Sequence, residues 1–194
     1  MRRRGTLITF FVLVVALAVG FVGRDLMARR QAAQLAEQTA QELAQSNGTA
    51  DDVIMLADHD VTIYTNMGEP VSFSDIANGQ PLVINFWATW CPYCVDELPD
   101  FQKIVADYGD RVAFAFVDVA DGQRERADDA RQWLVDNGFD DLPDYYDRDM
   151  AAVTSFGVYA YPTTVIVSAE GEVLTISAGR IDVALLRGTL NQLV

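Results

Sequence analysis

A buried strand that runs almost directly into two cysteines constrains this chain more than any other feature. Leu82-Val83-Ile84-Asn85-Phe86 is nearly all apolar, and Cys91-Pro92-Tyr93-Cys94 follows after four residues. Val95, Leu98, Phe101, Ile104, Val105 and Tyr108 then recur at helical spacing. A short apolar run without alternation suits a strand covered on both faces, and the later spacing suits an amphipathic helix. Pro92 fits the first helical position, where its missing N–H costs nothing. Cys91 then stands at the helix start, beside free N–H groups and the positive end of the helix dipole. Cys94 lies one turn further in and is expected to be the more buried. Pro99 falls inside the helix and is expected to kink it.

The chain has only these two cysteines, so no disulfide can form elsewhere within it. The pair is a redox couple, half of a metal site, or inert. Zinc needs four ligands, and His59 is the only histidine, so a metal site is not expected. Haem attachment needs His directly after the second cysteine, and Val95 stands there. A purely structural bridge over so short a loop would constrain little of the unfolded chain. Disulfide exchange needs a thiolate, and a helix N-terminus lowers a thiol's pKa from its usual ~8.5. The context therefore favours redox chemistry. Cys91 is expected to attack a disulfide, and Cys94 to resolve the mixed disulfide. Electrons pass between sulfurs, and no cofactor is called for.

The rest of the chain alternates strands and helices. Val61–Thr65 and Val71–Phe73 read as two short strands around a turn at residues 66–70. Val112–Val119 reads as a second buried strand, Arg124–Asn137 as a helix with Ala127, Ala130, Trp133 and Leu134 on one face, and Asp149–Phe156 as a short helix stopped by Gly157. Thr163–Val167 and Val173–Ser177 form a hairpin. Asp182 caps a last helix with Leu185, Leu186, Leu190 and Leu193 facing in. The pattern predicts an α/β fold with a mixed central sheet flanked by helices and an N-terminal β-hairpin extension. His59 is read as a surface residue without a role.

The amino-terminal third differs. Arg2, Arg3 and Arg4 precede an apolar run from Leu7 to Val22, and Gly5–Gly23 spans 19 residues. That length approaches the ~20 residues of a membrane-crossing helix. Apolar residues continue past a cleavage-like Ala16-Leu17-Ala18, so an uncleaved signal anchor is expected, with the N-terminus cytoplasmic by the positive-inside rule. The expected layout is a cytoplasmic tip and transmembrane anchor over residues 1–23, a helical Ala/Gln/Glu-rich stalk over 24–50, and a folded domain over 51–194. Residues 1–50 carry a net charge of +3 and residues 51–194 a net charge of −17, together the −14 of the whole chain. An acidic body repels phosphate backbones, which excludes a nucleic-acid partner.

Phe86-Trp87-Ala88-Thr89-Trp90-Cys91-Pro92-Tyr93-Cys94 resembles the active-site segment of the thioredoxin superfamily. Val95-Asp96-Glu97-Leu98-Pro99 resembles its ResA/TlpA branch, as do residues 71–76, the segment Phe156–Thr164, and Gly171 and Gly179 in the last hairpin and loop. The resemblance covers residues 53–194 and implies a thioredoxin-like fold. It also implies a single-pass membrane protein with its catalytic domain outside the cytoplasm, protein disulfides as substrates, and a membrane thiol as electron donor or acceptor. It makes Pro162 a cis-proline facing the disulfide and Glu97 a buried acid that manages protons. Trp87 and Trp90 would pack beside the cysteines, Trp90 the more exposed. Trp90, Pro92, Tyr93 and Tyr161 would shape the substrate surface. Asn85 departs from the pattern, since cytoplasmic thioredoxins usually carry an acid there; proton handling then shifts to Glu97 or water. Pro92-Tyr93 looks like the dipeptide of glutaredoxins, and Tyr161 is bulky for its place, so the direction of electron flow stays open.

Three functions fit these residues. The first is a reductase of extracytoplasmic disulfides, for which the branch suggests the haem-binding cysteines of an apocytochrome c as a target. The second is an oxidase that forms disulfides in secreted proteins. The third is a non-catalytic anchored binding module with a structural disulfide.

Overall fold

The computed structural model describes residues 53–194. The expected anchor, the stalk and the first two residues of the expected domain lie outside the described residues. Among the described residues, no helix is long and apolar enough to cross a membrane.

The strands are β1 (Thr62–Thr65), β2 (Pro70–Ser72), β3 (Leu82–Trp87), β4 (Ala113–Asp118), β5 (Asp144–Tyr146), β6 (Thr163–Val167) and β7 (Val173–Ala178). The α-helices are α1 (Phe73–Ala77), α2 (Pro92–Tyr108), α3 (Ala127–Asn137), α4 (Ala151–Ser155) and α5 (Val183–Leu193), and Leu56–His59 is a 3₁₀ turn. One sheet contains all seven strands in the order β2-β1-β5-β4-β3-β6-β7. β3, β4 and β5 run parallel, while β1, β2, β6 and β7 pair antiparallel at the two sides. This is the mixed thioredoxin-like sheet expected, with β1 and β2 as its N-terminal hairpin.

Every residue of β3 is buried, as its apolar run requires. Alternation along the strands sorts the core into two layers. Val83 and Trp87 of β3, with Phe114 and Phe116 of β4, face α2, α3 and α5. Leu82, Ile84 and Phe86, with Ala115 and Val117, face α1 and α4. Each fully buried large side chain contributes ~1.5–3 kcal/mol through removal from water. The same alternation puts Asn85 and Asp118 on the layer that holds the cysteines.

Several expectations change. Phe73 opens α1 instead of extending β2, because Ser72 is the N-cap of a capping box: its Oγ accepts from Asp75 N–H and the Asp75 carboxylate accepts from Ser72 N–H. β5 was not foreseen; it has only three residues and begins with a charge. α3 starts at Ala127, not Arg124, because the Asp121 carboxylate accepts from the N–H groups of Gln123, Arg124 and Glu125 and fixes them as a loop. α2 continues through Pro99 to Tyr108. Leu185 was expected inside but is 68% exposed; Leu186 and Leu190 carry the buried face of α5, with Leu193 partly covered. His59 is half-buried, stacks on Phe156 at 4.7 Å between centroids, and has its Nδ1 3.1 Å from Ser155 Oγ, so it packs rather than merely decorating the surface.

Candidate active site

β3 delivers the chain to the cysteines through one tight turn. Ala88 C=O accepts from Cys91 N–H at 3.1 Å, closing the turn Ala88-Thr89-Trp90-Cys91. Cys91 is the N-cap of α2 and Pro92 its first residue. The Cys91 Sγ accepts from Cys94 N–H at 3.2 Å, as a cap oxygen would. Cys91 and Cys94 are joined as a disulfide with Cα atoms 5.3 Å apart, within the normal range. Cys94 is fully buried and Cys91 is 5% exposed, so Cys91 is the sulfur a partner reaches. The helix N-terminus aims its N–H groups and dipole at that sulfur, which favours its thiolate once the bridge opens.

The sequence-expected residues gather here. Pro92 is exposed and Tyr93 is 64% exposed, both at the rim. Trp90 is 38% exposed, with the Tyr161 ring edge-on at 5.7 Å and the Arg124 guanidinium 4.4 Å over its face. Trp87 is wholly buried in the layer that includes both cysteines and tilts against Trp133. Pro162 is buried, its peptide bond with Tyr161 is cis as expected, and its carbonyl accepts from Gly179 N–H.

Glu97 lies one turn beyond Cys94 on α2 and is only 2% exposed. Its Oε1 accepts from Asn85 Nδ2 at 2.9 Å, and its Oε2 faces Ile181 N–H at 3.3 Å. Asn85 Nδ2 also donates to Thr164 Oγ1 on β6. Burial dominates and pushes the Glu97 carboxyl up to about 7, although the two hydrogen bonds and the Arg180 charge pull the other way. The amide at position 85 thus serves as a donor to the acid on the helix.

Two further acids went unforeseen. Asp118 ends β4 directly opposite Trp87 and is 1% exposed. Glu125 is 5% exposed; its carboxylate accepts from Thr89 N–H at 3.1 Å and from the Thr89 hydroxyl. Burial, then the Glu125 charge, push the Asp118 carboxyl up to about 9. Alternation after Phe114 and Phe116 signalled that Asp118 points inward, whereas nothing local in the sequence marked Glu125.

A Cys-x-x-Cys disulfide at the head of the first long helix of a thioredoxin-like sheet defines a thiol–disulfide oxidoreductase. The AhpC/TSA family model matches residues 55–176, and the chain belongs to that family. It is 30% identical over 120 residues to thioredoxin-like protein YneN of Bacillus subtilis (strain 168), covering 62% of this chain and 68% of the relative. It is 24% identical over 112 residues to thiol-disulfide oxidoreductase ResA of Halalkalibacterium halodurans, covering 58% of this chain and 61% of ResA. The chain therefore spans about three fifths of that relative's length. Among solved structures it resembles the pneumococcal exposed lipoprotein thioredoxin Etrx1 from Streptococcus pneumoniae strain TIGR4. The TM-score is 0.61 at 26% identity, over 69% of this chain and 99% of that one. The expected resemblance to ResA-like members of the thioredoxin superfamily is borne out.

Proposed function

We propose that this protein reduces protein disulfides outside the cytoplasm, held at the cell membrane by its N-terminal segment. The observation that carries the reading is the placement of Cys91 at the N-cap of α2, with Cys94 and Glu97 buried behind it on the same helix face. A membrane dithiol opens the Cys91–Cys94 bridge and is itself oxidised to a disulfide. The Cys91 thiolate then attacks a substrate disulfide, forming a mixed disulfide and expelling one substrate thiolate. Cys94 gives its proton to Glu97, whose pKa near 7 suits that exchange. The Cys94 thiolate attacks Cys91 Sγ, and the second substrate sulfur leaves as thiolate. Trp90, Pro92, Tyr93 and Tyr161 are assigned the approach to Cys91, and Pro162, cis after Tyr161, the place facing the disulfide.

The basic start Arg2–Arg4 followed by the apolar run Leu7–Val22 supports a signal anchor with residues 24–50 as a stalk. Etrx1 is an exposed lipoprotein, which fits the same side of the membrane. The haem-binding cysteine pair of an apocytochrome c is the substrate class carried over from the resemblance to ResA. The test is the reduction potential of the Cys91–Cys94 couple in a fragment that begins near Asp51. A value at or below that of thioredoxin, ~−270 mV, supports reduction; a value near that of DsbA, ~−120 mV, overturns it in favour of disulfide formation. Cys94→Ser in the same fragment is expected to trap mixed disulfides through Cys91, and a chain that only binds its partner would trap none.

A further inference from the structure

Glu125 grips the turn that presents Cys91. Its carboxylate takes both the N–H and the hydroxyl of Thr89, the second residue of the Ala88–Cys91 turn. Asp118 is tied to the same segment: it is the register partner of Trp87, and Val119 N–H donates to Trp87 C=O at 3.1 Å. Both Asp118 oxygens are buried without a hydrogen-bond partner, and so is Trp87 Nε1.

Among the described residues, the charges that bear most on this acid are themselves acidic. Glu125 and Asp121 face Asp118 from the loop before α3, and Asp144 faces it from β5. Asp144 is engaged by Arg131 at 3.2 Å and by the Tyr146 hydroxyl at 2.6 Å. Asp147 donates its N–H to the Asp118 carbonyl but turns its carboxylate to Ala151 and Val153 at the start of α4. Tyr161, whose ring meets Trp90, also feels the Asp118 carboxyl, and Arg124 is stacked on the same Trp90. Two buried carboxylates side by side cannot both ionise at neutral pH, and a proton on Asp118 gives the pair a hydrogen bond it otherwise lacks.

We propose that Asp118 and Glu125 form a carboxyl pair holding one proton, and that this pair positions the Ala88–Cys91 turn and sets the charge felt by the Cys91 thiolate. Asp118 is its neutral member and Glu125 its charged one. The proposal rests on Cys91–Cys94 being a redox couple and holds for either direction of electron flow. A single negative charge behind Cys91 leaves the dipole of α2 in control of the thiolate, whereas a doubly charged pair would oppose it.

The test uses the reduced full-length chain in detergent micelles. The rate at which iodoacetamide alkylates Cys91 is followed against pH, with the site read by mass spectrometry. Asp118→Asn is expected to leave the midpoint of the profile in place, because it replaces a neutral group with a neutral group. Adding Glu125→Gln keeps the acceptor for Thr89 but removes the remaining charge, and the midpoint is expected to fall by about half a pH unit, a roughly threefold gain in thiolate on its acid side. A lone effect on folding would not separate the two in this way. The proposal is overturned if Asp118→Asn alone moves the midpoint as far as the pair of changes, or if the double variant does not move it. The wild-type chain gives an independent reading: an infrared band of a protonated carboxyl present at pH 8 and lost by about pH 10. Its absence at pH 8 also overturns the proposal. A Cys91 midpoint equal to that of an ordinary thiol would instead refute the redox site itself.

Discussion

Glu97→Gln tests the energetic consequence of burying an acid behind the disulfide. The Glu97 carboxyl has a pKa of about 7 in the folded protein against 4.5 as its ordinary value, with burial as the main cause. Below pH 4.5 the proton is bound in folded and unfolded chains alike, so the acid costs nothing extra. Between 4.5 and 7 the unfolded chain loses its proton first, and the folded state binds more protons than the unfolded one. Stability therefore falls as pH rises through that window. At ~1.4 kcal/mol for each pH unit the total loss is about 3 kcal/mol above pH 7. Gln cannot ionise, so the variant should be insensitive to that window. Its amide must meet two donors, Asn85 Nδ2 and Ile181 N–H, and the Asn85 side chain can turn its unpartnered Oδ1 toward the new Nε2–H. After ~1 kcal/mol for that rearrangement, the oxidised variant should be about 2 kcal/mol more stable than the wild type at pH 8 and equal or less stable at pH 4. Urea unfolding of the oxidised fragment at both values measures this, since no thiol titrates. Asp118 contributes its own fall in both proteins and cancels in the difference. Parallel pH profiles for wild type and variant would refute the argument that burial controls Glu97.

Two structural predictions concern the elements that hold the site. Phe101→Ala removes a 1%-exposed ring that meets Phe116 edge-on at 5.2 Å between α2 and β4, and should cost about 3–5 kcal/mol by urea unfolding; a loss below ~1 kcal/mol would mean that this contact does not anchor α2. Asp182→Ala deletes the cap that accepts from Ala184 and Leu185 N–H, and should cost ~1 kcal/mol, whereas Asp182→Asn should retain most of the stability.

The frame was legible wherever one local rule governs. β3 and α2 follow from an apolar run and a helical repeat, and Asp182 caps α5 as its position implies. Phe73 opens a helix although it follows Val71 at strand spacing, because the Ser72–Asp75 capping box, present in the sequence, overrides that pattern. β5 escaped because three residues carry no measurable period; it exists only because β1 and β4 offer it partners on both sides. Leu185 and Leu186 are adjacent, about 100° apart on the helix, so only one of them can face the sheet squarely.

The acids around the disulfide were legible to different depths for a physical reason. Glu97 shares a helix face with Cys94, so spacing alone brings them together. Asp118 reaches the site by strand register, which requires knowing that β4 lies beside β3 and that Trp87 meets residue 118. Glu125 reaches it only through a loop shaped by Asp121, and no periodic rule describes that loop. Yet β3 lies between β4 and β6 in the sheet, and each side of its upper end receives one buried acid group: the Asp118–Glu125 pair toward β4, and Glu97 with Asn85 and Thr164 toward β6. With Asn85 in place of an acid on β3 itself, the strand carries no charge beneath the sulfurs. A buried acid stands instead on each flank, Glu97 with a pKa of about 7 and Asp118 with a pKa of about 9, far enough apart to titrate separately. Near neutral pH Glu97 is the one of these two acids that changes charge, which suits the proton transfer proposed for it, while Asp118 keeps its proton in the pair proposed to hold the turn.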